Sequence, residues 1–122
     1  MEEKKLTLVM GASLKIERYA NRAIRKLREH DHPVVAVGLR EGMVDDVPII
    51  KDIPSGLHVD TVTMYLNAGN QEKWEHQLLA LHPKRIIFNP GAENRRFAEE
   101  AEQAGIETLE ACTRVMLGTG QF

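Results

Sequence analysis

The chain has 122 residues, enough for a single domain that buries its own core without disulfides or metals. Its hydrophobic fraction of 43% and charged fraction of 28% are ordinary for a globular protein, and 16 basic against 18 acidic residues leave a net charge of −2. Nucleic-acid binding usually shows as a basic excess, which is missing here. A single cysteine, Cys112, excludes an intrachain disulfide and agrees with a reducing compartment. The start Met1-Glu2-Glu3-Lys4-Lys5 does not have the order of a secretory signal, and no apolar stretch reaches the roughly 20 residues of a membrane helix. A cytoplasmic protein is expected, with no membrane and no nucleic-acid partner.

The first apolar run, Leu6 to Met10, reads as a strand and leads into Gly11-Ala12-Ser13. From Arg18 to His30, apolar Tyr19, Ala20, Ala23, Ile24 and Leu27 recur at helical spacing and predict one buried stripe. Val34 to Val37 is the second strand. The connection Leu39 to Leu57 contains Gly42, Pro48, Pro54 and Gly56, which argue against a full helix. It is expected as a loop with one short helix, in which Val47 to Ile50 is a candidate extended piece. Val59 to Leu66 is the third strand. Trp74, Leu78 and Leu81 mark a helix over 70–82. Arg85 to Phe88 is the fourth strand, Phe97, Ala98, Ala101 and Ala104 mark a helix over 94–104 stopped by Gly105, and Ile106 to Leu109 is the fifth strand. The tail Glu110 to Phe122 carries Val115, Met116 and Leu117 and is expected to pack back on the body.

Strands alternating with helices imply right-handed βαβ units. The expectation is one α/β domain over 1–122: a Rossmann-like, doubly wound, parallel five-stranded sheet in three α/β/α layers. The expected strand order is 3-2-1-4-5, with the switch between the first and fourth strands. Ligands of such sheets bind at the carboxyl ends of the strands beside the switch.

Candidate site residues therefore sit at strand ends. Gly11 lets backbone approach a ligand closely, and the helix start that follows offers amides to a phosphate, to which Ser13 adds a hydroxyl. A plain strand-to-helix turn is the competing reading, because the run is not G-x-G-x-x-G. The second strand ends Gly38-Leu39-Arg40-Glu41. Arg40 there suits a phosphate on a ribose, whereas an NAD site would place an acid, and Glu41 is one residue away. Asn67 after the third strand and Asn89 after the fourth either bond a ligand or cap the helices that follow. Pro90-Gly91 reads first as a turn. His30-Asp31-His32 lacks further ligands at metal spacing and reads as a solvated helix end, and no metal is expected. Ser13 is followed two residues on by Lys15, not the glycine of a hydrolase elbow. Cys112 reads as a buried or half-buried structural thiol. No catalytic residue is identified.

The chain resembles the small bacterial CoA-binding proteins, whose fold is similar to the N-terminal domain of the succinyl-CoA synthetase alpha subunit. The resemblance runs through nearly the whole chain. It rests on Val9-Met10-Gly11-Ala12-Ser13, the strand from Pro33-Val34 to Val37, Val59-Asp60, Tyr65-Leu66-Asn67, Arg85-Ile86-Ile87-Phe88-Asn89-Pro90-Gly91, and Glu110-Ala111-Cys112-Thr113 with Val115-Met116-Leu117. It implies coenzyme A as ligand, with the pyrophosphate on Gly11, Ala12 and Ser13 and the adenosine end near Arg40. The family usually has Asn-Pro after the second strand, where this chain has Gly38-Leu39. The synthetase's phosphohistidine comes from another domain, so binding is implied without the ligase reaction. The leading expectation is a CoA or acyl-CoA binding module. A small NAD(P)-binding oxidoreductase or redox regulator, and a structural or partner-binding domain without ligand, are the alternatives.

Overall fold

A computed structural model describes residues 4–122. Met1 to Glu3, part of the N-terminal reading above, lie outside the described residues. Strand β1 (Thr7–Ala12) leads to helix α1 (Tyr19–Glu29) and strand β2 (Val34–Gly38). A short pair, β3 (Gly42–Val44) and β4 (Val47–Ile50), follows. The chain continues through β5 (Thr61–Met64), α2 (Ala68–Leu81), β6 (Arg85–Phe88), α3 (Arg95–Gln103), β7 (Glu107–Glu110) and α4 (Thr113–Gly118).

The strands form one sheet in the order β3-β4-β2-β1-β5-β6-β7. Every pairing is parallel except the antiparallel β3–β4 pair at the edge. The sheet thus has seven strands, not the five expected. The two extra strands come from the segment read as a loop with a short helix. Asp45 and Asp46 form a two-residue turn between them, with Asp45 at φ +51°. Aspartate tolerates this left-handed conformation, so Asp-Asp closes a hairpin without the glycine that usually signals one. Pro48 weakened the strand reading, yet it stands in β4 opposite Met43 of the edge strand.

The strand order also differs from the expected 3-2-1-4-5. The third predicted strand, β5, lies between β1 and β6, giving 2-1-3-4-5 for the five predicted strands. The free edge of β2 is taken by β4, with Ala36 opposite Ile49. The chain must then cross to the other side of β1, where all four residues of β5 are buried. The switch falls between β1 and β5.

Both faces of β1 are covered. Leu8 and Met10 belong to a core with Val62, Met64, Phe88 and Phe97, while Val9 and Ala12 belong to another with Ile24, Leu27 and Leu117. Continuous apolar strands follow from this double burial. The α1 stripe buries Ala20, Ala23, Ile24 and Leu27 as predicted, but Tyr19, placed in the same stripe, is exposed in the first turn. Phe88 and Phe97 meet edge to face with centroids 6.1 Å apart. Gly105, at φ +85°, follows the end of α3 where a stop was predicted.

The tail packs back on the body as expected. Met116 and Leu117 are buried in α4, although Val115 is exposed. Phe122 then reaches the amino ends of the strands. Its ring lies 4.5 Å from the Arg85 guanidinium carbon and 4.9 Å from the His32 ring, and its carbonyl accepts from Lys5 Nζ and Arg85 Nη2. His32 is therefore not a solvated helix end: it is buried, and its Nδ1 accepts the Lys5 N–H at 3.0 Å. Among the described residues no helix is long and apolar enough to cross a membrane, and no group of metal-ligating side chains is gathered.

Candidate functional site

At the carboxyl end of β1 the register slips between Met10 and Ala12, and Gly11 takes φ +92°. A Cβ at Gly11 would lie 3.1 Å from Leu66 N and 3.2 Å from the Tyr65 carbonyl carbon. The backbone after β5 therefore rests directly on this glycine. The bulge also turns the Ala12 carbonyl against Gly38 of β2, so closely that a Cβ at Gly38 would overlap the Ala12 oxygen.

Ser13 begins the loop into α1. Its carbonyl accepts Asn21 Nδ2 at 3.0 Å and its Oγ accepts the Lys15 N–H at 3.1 Å. Asn21 is buried and is itself held by Arg25 Nε at 2.9 Å. Helix α1 then opens at Arg18 with no side-chain cap and no acid in its first turn. The first amides of a helix have no intrahelical acceptor, and its N-terminus favours an anion.

These strand ends surround a cavity of about 730 Å³, within the range of small-molecule and cofactor sites. Five cationic residues line it, Lys15, Arg18, Arg40, Lys51 and Lys73, and no acidic residue does. None of the five forms an ion pair with another described residue. Apolar walls come from Leu14, Tyr19 and Leu39 on one side and Leu66, Trp74 and Pro90 on the other. Leu14, Tyr19 and Leu39 are exposed although large, which suits a rim that a ligand covers. Tyr65 also lines the cavity, but its hydroxyl is buried without a hydrogen-bond partner. Burial pushes its pKa up to about 12, partly offset by the Thr63 and Thr113 hydroxyls, whose geometry falls short of a bond.

Of the residues singled out in the sequence, Gly11, Ala12, Ser13, Arg40 and Pro90 meet at this cavity. Asn67, Asn89 and Gly91 do not line it. Asn67 caps α2 by accepting the Asn70 N–H at 2.9 Å. Asn89 is 1% exposed and bonded to protein through both ends of its amide: Nδ2 donates to Thr63 Oγ1 and Met64 O, and Oδ1 accepts from Thr113 N. Gly91 donates its N–H to Glu93 Oε1. Lys15, Arg18, Lys51, Lys73 and Tyr65 were not singled out, and Trp74 was read only as part of a helix stripe. Each is unremarkable in its own stretch, and only the sheet order brings them together.

The family model described as a CoA binding domain matches residues 5–118. The chain belongs to this family. Among solved structures, the domain is similar to an uncharacterized protein at 42% identity and TM-score 0.95, covering 99% of this chain and 100% of that one. It is also similar to a hypothetical protein from Pyrococcus horikoshii OT3 at 27% identity and TM-score 0.78, covering 95% of this chain and 82% of that one. A structure from Thermus thermophilus, at 21% identity and TM-score 0.86 over 98% of this chain and 91% of that one, shares the fold. No curated protein matches the sequence. The CoA-binding domain family fits the donor set at hand: a close backbone approach at Gly11, an uncapped helix start and five cations facing one cavity.

Proposed function

We propose that this CoA-binding domain is a binding module for coenzyme A or a CoA thioester, with no catalytic group of its own. The observation that carries the reading is the cavity lined by five cations and no acid. Its lining runs from Lys51, just after β4, across β2, β1 and β5 to Pro90 beyond β6. Four steps between neighbouring strands at about 4.8 Å make a crevice about 19 Å long. That length suits a nucleotide carrying a long arm. The pyrophosphate would lie on the Gly11–Ser13 loop with Lys15 and Arg18, and the 3′-phosphate near Arg40 and Lys51. Glu41, the acid that kept an NAD site in play, does not line the cavity. The single Cys112, half-buried and unpaired, agrees with a cytoplasmic location.

Calorimetric titration with CoA, acetyl-CoA, dephospho-CoA, NAD and NADP tests this. CoA and acetyl-CoA should bind, with dephospho-CoA weaker and NAD weakest. Tighter binding of NAD or NADP would replace the reading with a nicotinamide site, and no binding of any ligand would leave the domain as a structural or partner-binding unit.

A further inference from the structure

The cations of the cavity are not all accounted for by coenzyme A. The sheet order sets Arg40 and Lys51 on the β2–β4 flank, and Lys15 and Arg18 at its centre after β1. Lys73 stands on the opposite flank, on α2, which follows β5. Coenzyme A carries its phosphates at the nucleotide end and along the pyrophosphate, while its pantetheine arm and thioester are neutral. With the nucleotide on the Arg40 flank, the arm runs toward Leu66, Trp74 and Pro90 and ends beside a positive charge that nothing in CoA neutralises.

The protein does not neutralise it either. The one partner of Lys73 among the described residues is the ring of Trp74, 5.4 Å from its Nζ. On a helix the positions that face Lys73 are three and four residues away, and these are Gly69, Asn70, His76 and Gln77, with no carboxylate among them. The nearby Glu75 is bound to Arg96 at 2.7 Å. An ammonium left on an aromatic face beside apolar walls suits a short methylene chain that ends in an anion.

We propose that the ligand of this site is a CoA thioester of a dicarboxylic acid, its free carboxylate read by Lys73. The inference rests on the CoA reading above and deepens it. The methylenes would lie against Leu66, Trp74 and Pro90, and Lys73 would separate such thioesters from neutral ones of equal length.

Titration of CoA, butyryl-CoA and succinyl-CoA into the wild-type domain and Lys73→Met tests it. The two thioesters have four-carbon acyl groups and differ in a terminal methyl against a carboxylate. The wild type should bind succinyl-CoA about fivefold tighter than butyryl-CoA, as expected of a partly exposed ion pair, and this margin should shrink in 0.5 M salt. In Lys73→Met the preference should vanish, with succinyl-CoA falling to the affinity of butyryl-CoA for the same variant. Butyryl-CoA binding as tightly as succinyl-CoA to the wild type overturns the inference and leaves the CoA reading intact. An equal loss of all three ligands in Lys73→Met places the nucleotide phosphates on Lys73, reverses the ligand and also overturns it. If none of the three binds the wild type, the CoA reading itself falls. Circular dichroism of Lys73→Met guards against a folding defect.

Discussion

Asn89 offers the sharpest test of how the carboxyl rim is built. Its side chain makes three hydrogen bonds from a fully buried position, at 2.8 Å to Thr63 Oγ1, 3.0 Å to Met64 O and 2.8 Å from Thr113 N. Asn89→Ala removes all three, but the groups left behind differ. Met64 O keeps the Asn89 backbone N–H at 3.2 Å, and Thr63 Oγ1 keeps the Thr113 hydroxyl at 2.8 Å. Only the Thr113 N–H, at the start of α4, is left without an acceptor. A buried orphan of this kind costs about 1–3 kcal/mol, and the other two bonds add about 1 kcal/mol together because their acceptors remain partly satisfied. We expect a loss of about 2–4 kcal/mol in urea unfolding, with an unchanged denaturant slope. CoA affinity measured under folding conditions should stay within about twofold of wild type. A loss below about 1 kcal/mol would refute the bond accounting, and a tenfold fall in affinity with stability intact would make Asn89 a ligand contact.

Three further outcomes follow from the site. Arg40→Ala should weaken CoA by about fivefold and leave dephospho-CoA unchanged, since an exposed charge pair falls in the lower part of the range for such contacts; equal losses for both ligands in calorimetry would place Arg40 elsewhere. Gly11→Ala should cost about 1–2 kcal/mol in thermal unfolding, because φ is +92° and backbone lies within 3.2 Å of the new Cβ, and CoA should bind at least tenfold more weakly; wild-type behaviour would show that the bulge is not needed. Tyr65 has its pKa raised from 10.0 to about 12, so folding favours its neutral form; its contribution to stability is complete below pH 10 and declines as pH rises toward 12. Tyr65→Phe should flatten that alkaline decline and be neutral or stabilising at pH 7, because the hydroxyl has no partner; a steeper alkaline loss in the mutant would contradict this.

The sequence reading was strongest where burial is local. Residues 20–27 of α1 carry their stripe within a few turns, and β1, β5 and β6 read as short runs rich in Val, Ile, Leu, Met and Thr because both faces are covered. It failed where the outcome depends on distant competition. Which side of β1 receives β5 is decided by β4 already occupying the edge of β2, and a propensity scan does not see an occupied edge. The hairpin was hidden by Pro48 and by a turn built on Asp45 rather than glycine. The candidate site divides in the same way. Gly11 and Ser13 were legible from their place after a strand, and Arg40 from the end of the next. Lys15, Lys51 and Lys73 were invisible because their meaning lies in a shared cavity between segments far apart in the chain. Asn89 was legible as important, with its direction left open: an asparagine at a strand end looks alike whether its amide faces a ligand or the Thr63–Thr113 pair.

The contact between the Ala12 carbonyl and Gly38 ties two stretches of sequence into one heritable unit. Any side chain at position 38 would collide with the bulged carbonyl of β1. The path of β1 and the residue at 38 can therefore change only together. A single Gly38→Asn substitution should be poorly tolerated. Variants that carry it should recover only with compensating changes between residues 10 and 13, and a deep mutational scan of this domain should show those positions trading fitness as a pair rather than one at a time.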